Sequence, residues 1–218
     1  MKNKKFTAAL VIIIIEVIIS LAIASQIPAD GKIPIHWNFK GEVDGYAGKQ
    51  LGIFLFPAIN LLISAMMFFM PLYSVRYKKS EDRFAKLLPD FNLIMIIFFA
   101  MIHIFMLLIA TGRINSEINP IFMLTGFLFM FIGNLLPKVP SNFFLGIRTP
   151  WTLSSETVWR KTHRLGGINF FASGILMILM SFGKNFNPVV NTALSVFIVI
   201  FTLIPIVFSF IWHKRENK

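Results

Sequence analysis

FTAALVIIIIEVIISLAIASQI, Phe6–Ile27, is an almost unbroken apolar run with one ionisable residue, Glu16, near its middle. A bilayer core about 30 Å thick needs about 20 apolar residues in a helix, and this run supplies them. Five more runs meet or approach that length: Leu51–Leu72, Phe91–Thr111, Ile118–Leu136, Leu165–Phe182 and Val189–Trp212. The fifth is short and contains glycine, so it reads as starting inside the polar helix before it. The expected fold is therefore an all-α integral membrane protein of six transmembrane helices.

Composition agrees. Of 218 residues, 56% are hydrophobic and only 14% charged, against about a quarter charged in soluble domains. Lys2, Lys4 and Lys5 precede the first run, as in a signal peptide. That run is nevertheless longer than the roughly 7–15 residues of a signal h-region, and no small-residue cleavage site stands out. With no cysteine, disulfides, thiolate metal sites and cysteine nucleophiles are excluded.

The charges set an expected topology. Sixteen Lys and Arg fall in the two tails and the second and fourth loops, and five in the first, third and fifth loops. The positive-inside rule places the richer set in the cytoplasm, with both termini there. The net charge of +11 thus reflects topology and anionic lipid rather than direct nucleic-acid binding. The chain divides into a two-helix region, 1–75, with an outward loop, and a four-helix region, 76–218, with a basic inward segment. The expected place is the bacterial cytoplasmic membrane, crossed several times.

Two polar segments exceed what a connector needs. The inward one, NFFLGIRTPWTLSSETVWRKTHRLGG (Asn142–Gly167), carries Arg148, Glu156, Arg160, Lys161, His163 and Arg164 with Trp151 and Trp159. The Arg148 fork suits a carboxylate or phosphate; it equally suits an interfacial anchor. Trp151 and Trp159 read as interfacial anchors. Ser154 reads as a helix N-cap with Glu156 in the first turn. Val158, Trp159 and Leu165 would then lie against the membrane, with Arg160, Lys161 and Arg164 toward water. Such a basic amphipathic helix binds anionic lipid; an acidic patch on a cytoplasmic partner is the sharper alternative. His163 reads as structural.

The outward segment, IPADGKIPIHWNFKGEVDGYAGKQ, has alternating Ile33, Ile35 and Trp37, which predict a short extended piece, and a turn at Asp44-Gly45. His36 with Glu42 and Asp44 is too sparse a set for a metal site and reads as a hydrogen-bond network.

Within the spans, Glu16 and His103 fall at similar depth, at about 1.5 Å per residue from the cytoplasmic side. They are expected to face each other or a shared cavity. A carboxylate at that depth costs about 2.5–3.5 kcal/mol on insertion scales, which favours a hydrogen-bonded packing role over a proton or ion path. Asn60 reads as packing glue.

Taken together, two patterns resemble the SdpI-type immunity protein family of bacteria. The first is Pro34, His36, Trp37, Asn38, Gly41, Asp44, Gly45, Tyr46 and Lys49, similar to that family's N-terminal domain of unknown function. The second is Gly133, Asn134, Asn142, Gly146, Arg148, Thr149, Pro150, Trp151, Glu156, Trp159 and Gly166, similar to its signature segment. The resemblance covers essentially the whole chain. It implies protection against a secreted membrane-active peptide toxin. It also implies capture of a small helix-turn-helix repressor at the membrane, hence signal transduction, with Arg148, Trp151, Glu156, Trp159 and Arg164 as the expected docking residues. No cofactor is implied. Enzyme motifs such as GxSxG, HExxH, Walker A and GxGxxG are absent from the sequence, so no enzyme is expected. The alternative is a transporter or channel for a small ion or solute, using Glu16 and His103.

Overall fold

A computed structural model describes residues 4–38, 43–74, 81–114, 120–182 and 187–216. Gly41 and Glu42 of the first loop lie outside the described residues, as do Arg76, Lys78, Lys79 and Lys184. Among the described residues, six helices are long and apolar enough to cross a membrane: α1 (Lys4–Ala24), α2 (Lys49–Tyr73), α3 (Glu81–Ala110), α4 (Pro120–Leu135) with the 3-10 turn Leu136–Lys138 that continues it, α6 (Glu156–Ser181) and α7 (Pro188–Glu216). The short α5 (Pro150–Ser154) lies between α4 and α6. The chain is a multi-pass membrane protein. Its outer faces say the same, since Ile14, Ile18, Leu62, Phe68 and Val207 are among many large apolar side chains left exposed. Soluble proteins do not carry apolar surface on that scale.

The helices outrun the apolar runs where polar residues continue the periodicity. Thus α3 starts ten residues before Phe91, at Glu81, and α6 starts at Glu156 rather than Leu165. The loop between the first two spans folds into an antiparallel hairpin, β1 (Lys32–Trp37) and β2 (Val43–Gly48). Ile33 is fully buried among Ile23, Ile27, Ile53, Phe56, Met106 and Leu107. The hairpin is thereby seated on the ends of α1, α2 and α3. Gly52 permits this, because a Cβ there would sit 2.6 Å from the Ile33 side chain. Lys49 Nζ donates to the Ile27 carbonyl at 2.6 Å, and Arg113 donates to Gln26 Oε1 at 2.6 Å. The opposite end of α1 meets α3 through the Lys5–Asp90 ion pair.

α1, α2 and α3 pack on one another, and α2 and α3 pack on β1. α4 and α6 make the most extensive helix–helix contact in the chain, and glycine explains it. Gly126 faces Gly174, and Gly133 faces Gly167. A Cβ on Gly174 would lie 2.5 Å from the Gly126 carbonyl, and one on Gly167 2.7 Å from the Gly133 carbonyl. The two pairs are seven residues apart on both antiparallel helices, so the backbones touch along one face. In lipid, where apolar burial between helices is weakly favoured, such close approach is the main attraction.

Candidate functional site

The Asn142–Gly167 segment is built from side chain-to-backbone hydrogen bonds. Asn142 organises the turn after the α4 end. Its Oδ1 accepts from the amides of Phe144 and Leu145, each at 2.7 Å, and its Nδ2 donates to the carbonyls of Pro140 and Leu145 at 2.8 and 3.0 Å. Gly146 has φ 104°, and a Cβ there would overlap His163 Nε2. His163 then fixes the chain. Its Nε2 accepts from the Ile147 amide at 3.1 Å, while Nδ1–H donates to the Trp159 carbonyl at 2.8 Å. Both ring nitrogens are thereby committed, which requires the neutral ring.

Thr149 caps α5 through a reciprocal capping box with Thr152, and Pro150 occupies the first helical turn, where no amide is needed. Thr152 Oγ1 also donates to the Ile147 carbonyl at 2.9 Å, and Thr149 Oγ1 meets Ser209 Oγ of α7 at 3.2 Å. The N-cap of α6 is Ser155, accepting from the Val158 amide, and not Ser154. Ser154 is used up as the last residue of α5.

Trp159 corrects the sequence expectation. It is 1% exposed, packed with Leu135 and Val139 and stacked on His163 at 4.0 Å, and its indole donates to the Val139 carbonyl at 2.8 Å. It is an internal post, not a membrane anchor or a docking group. Val158 is buried in the protein as well. The reason is that α6 is one long helix whose first turns are walled by the Asn142–Thr149 turn. Trp151 is half-buried, 5.0 Å from the Phe210 ring. Arg148, Glu156, Arg160, Lys161 and Arg164 are exposed; Arg148 donates to the Phe143 carbonyl. Gly166 is buried under Ile147 and Leu136. His163 is structural, as its sequence reading has it, one helical turn after Trp159; Thr152 is the structural residue that the sequence reading did not single out.

A second cluster lies inside α1, α2 and α3. Glu16 Oε1 is 2.9 Å from His103 Nδ1, and Glu16 Oε2 accepts from Asn60 Nδ2 at 2.8 Å. The three are 1%, 0% and 0% exposed. Phe56 stacks on the His103 ring at 5.6 Å. The expected meeting of Glu16 and His103 is therefore a direct contact, with Asn60 as its third member.

On the hairpin, His36 Nδ1 and Asp44 Oδ1 are 2.5 Å apart across the strands, both exposed. Gly45 lies under His36, where a Cβ would come within 2.8 Å of the histidine Cβ. Trp37 and Asn38 are half-buried. Among the described residues no group of three His, Cys, Asp or Glu is placed to hold a metal.

Comparison with known proteins agrees with the two patterns. Residues 138–212 match the SdpI/YfhL protein family. Residues 11–61 match a domain of unknown function, DUF1648. The chain is 25% identical over 215 residues to "Immunity protein SdpI" of Bacillus subtilis (strain 168), covering 98% of both chains. No solved structure matches. The likeness to the SdpI-type family thus runs nearly end to end, and nothing in these comparisons supports a transporter.

Proposed function

We propose that this SdpI-like protein is a membrane immunity protein that protects its cell against a secreted membrane-active peptide toxin. One observation carries the reading: the likeness to Immunity protein SdpI spans 98% of both chains, both polar segments included. The hairpin carrying His36, Asp44 and Gly45, with Lys49 at the adjoining start of α2, sits at the expected outward end of α1–α3 and would meet the toxin there. Positive-inside charge bias supports that orientation, with both termini and the RTPW segment in the cytoplasm.

The same protein is proposed to signal by holding a cytoplasmic helix-turn-helix repressor at the membrane. Arg148, Trp151, Glu156 and Arg164 would form the docking face, now without Trp159. Arg148 is exposed on a turn held by Asn142, Gly146 and Thr149, so its guanidinium is presented at little entropic cost to a carboxylate.

The test is survival and membrane potential of toxin-sensitive cells expressing the protein, challenged with an SDP-type peptide toxin. Protection is expected, weakened by His36→Ala in protein that still inserts normally. Arg148→Ala is expected to leave survival intact and to release the repressor from the membrane fraction. Cells that die like the empty-vector control, despite normal membrane levels, would refute immunity to that toxin class.

A further inference from the structure

A cavity of about 280 Å³ opens where α6 begins and α7 ends, lined by Thr157, Val158, Lys161, Trp212, Arg215 and Glu216. We propose that it holds the phosphodiester of a bilayer phospholipid.

Three observations converge on that chemistry. The first is charge. Lys161 and Arg215 supply two cations against one carboxylate, Glu216, and Arg215 stands in a basic last turn with His213 and Lys214. The Arg215 fork matches two phosphate oxygens, and Lys161 acts as a point charge beside it. Thr157 adds a hydroxyl from the first turn of α6, where the helix dipole favours an anion.

The second is depth. α7 leaves its apolar run at Phe210-Ile211-Trp212 and becomes His213-Lys214-Arg215 within one turn. Indole rings favour the headgroup layer, and Trp212 lines the cavity. The phosphate most abundant at that level is the lipid's own.

The third is the surface just below. Phe208 lies one turn deeper on α7 and its ring is 5.5 Å from Trp212, while Val207 beside it is exposed. An acyl chain leaving the cavity toward the bilayer centre would run along that face. A soluble acidic peptide would have no use for it.

The experiment measures phosphatidylglycerol binding to the full chain in detergent, by native mass spectrometry and thermal shift. Diacylglycerol with the same chains and inorganic phosphate serve as separate probes. Phosphatidylglycerol is expected to bind, diacylglycerol not to, and inorganic phosphate to compete only at far higher concentration. Each basic residue near a membrane surface contributes about 1 kcal/mol, or about fivefold in affinity. Lys161→Ala and Arg215→Ala should each therefore weaken binding about fivefold and the pair about thirtyfold, with Lys161→Arg retaining it. Lys214→Ala removes the same charge from the same turn but does not line the cavity, and should change little. Equal losses in Lys214→Ala and Arg215→Ala would overturn the pocket in favour of diffuse surface charge. Undiminished binding in the double variant would overturn it outright. Inorganic phosphate displacing the lipid at equal concentration would make the ligand a soluble anion instead.

Discussion

Replacing Glu16 by alanine should move two measurable quantities in opposite directions. The carboxylate accepts from Asn60 at 2.8 Å and is bonded to His103 at 2.9 Å, with all three side chains sealed from the surface. Truncation orphans His103 Nδ1 and leaves Asn60 Nδ2 with only the Ile96 carbonyl, at 3.4 Å. In a soluble core each orphan would cost about 1–3 kcal/mol. Within a bilayer the separated helices also find partners for polar groups, and measured couplings average about 0.6 kcal/mol with a ceiling near 1.7. Two contacts therefore predict a loss of about 1–3 kcal/mol in helix assembly. Insertion of α1 as a single helix, by contrast, loses a carboxyl at mid-depth and should improve by about 2.5–3.5 kcal/mol. Reversible unfolding in mixed micelles reads the first quantity, and a glycosylation-based insertion assay of α1 reads the second. A cycle with His103→Ala isolates the pair, with coupling expected between about 0.6 and 1.7 kcal/mol. Additivity within about 0.3 kcal/mol would refute the contact. So would a Glu16→Ala protein as resistant to unfolding as the parent.

Further outcomes follow from other contacts. Gly146→Ala must fit a Cβ onto His163 Nε2 at φ 104°; a loss of about 2 kcal/mol or more in unfolding experiments is expected, from backbone strain and the Ile147–His163 bond together. Gly133→Leu should separate α4 from α6, since a Cβ alone would lie 2.6 Å from the Phe171 amide; failure to accumulate in membranes is the readout, and a normal yield would contradict the packing. Thr149→Ala removes the α5 cap and should cost about 0.5–2 kcal/mol, with Thr149→Ser largely restoring it. Because the chain has no cysteine, single cysteines can report topology. Tyr46→Cys should react with an impermeant maleimide on intact cells, and Arg148→Cys only after the membrane is opened.

The six spans were legible because a helix that faces lipid must be apolar over a fixed length, whatever it packs against. The Glu16–His103 contact was legible for a related reason: two costly groups at one depth have few partners other than each other. Helix ends were less so. α6 runs nine residues past its apolar stretch toward the N-terminus, because Ser155 caps it and the turn from Asn142 to Thr149 shields its first turns. Hydropathy is blind to that shielding. The extended outer piece was visible in the alternation of Ile33, Ile35 and Trp37. That Ile33 would plug the end of the helix bundle required Gly52, whose role appears only once the two are side by side.

Trp159 is the instructive failure. Indole prefers the membrane interface, so a tryptophan at a predicted helix start reads as an anchor. That preference is a comparison with water or lipid alone; a protein pocket that offers the indole a carbonyl and an aromatic face competes with both. Val139 supplies the carbonyl and His163 the face. The consequence reaches function. Of the signature residues, Asn142, Gly146, Thr149 and Trp159 build the turn itself, and substituting them would abolish the proposed partner binding by collapsing it. Arg148, Glu156 and Arg164 are exposed and Trp151 is half-buried, with Arg148 also donating to the Phe143 carbonyl. Loss of repressor capture after changing a member of the first group would therefore identify the scaffold, whereas loss after Arg148→Ala in an otherwise stable protein would identify the contact. A docking surface on this segment has to be argued from the second group alone.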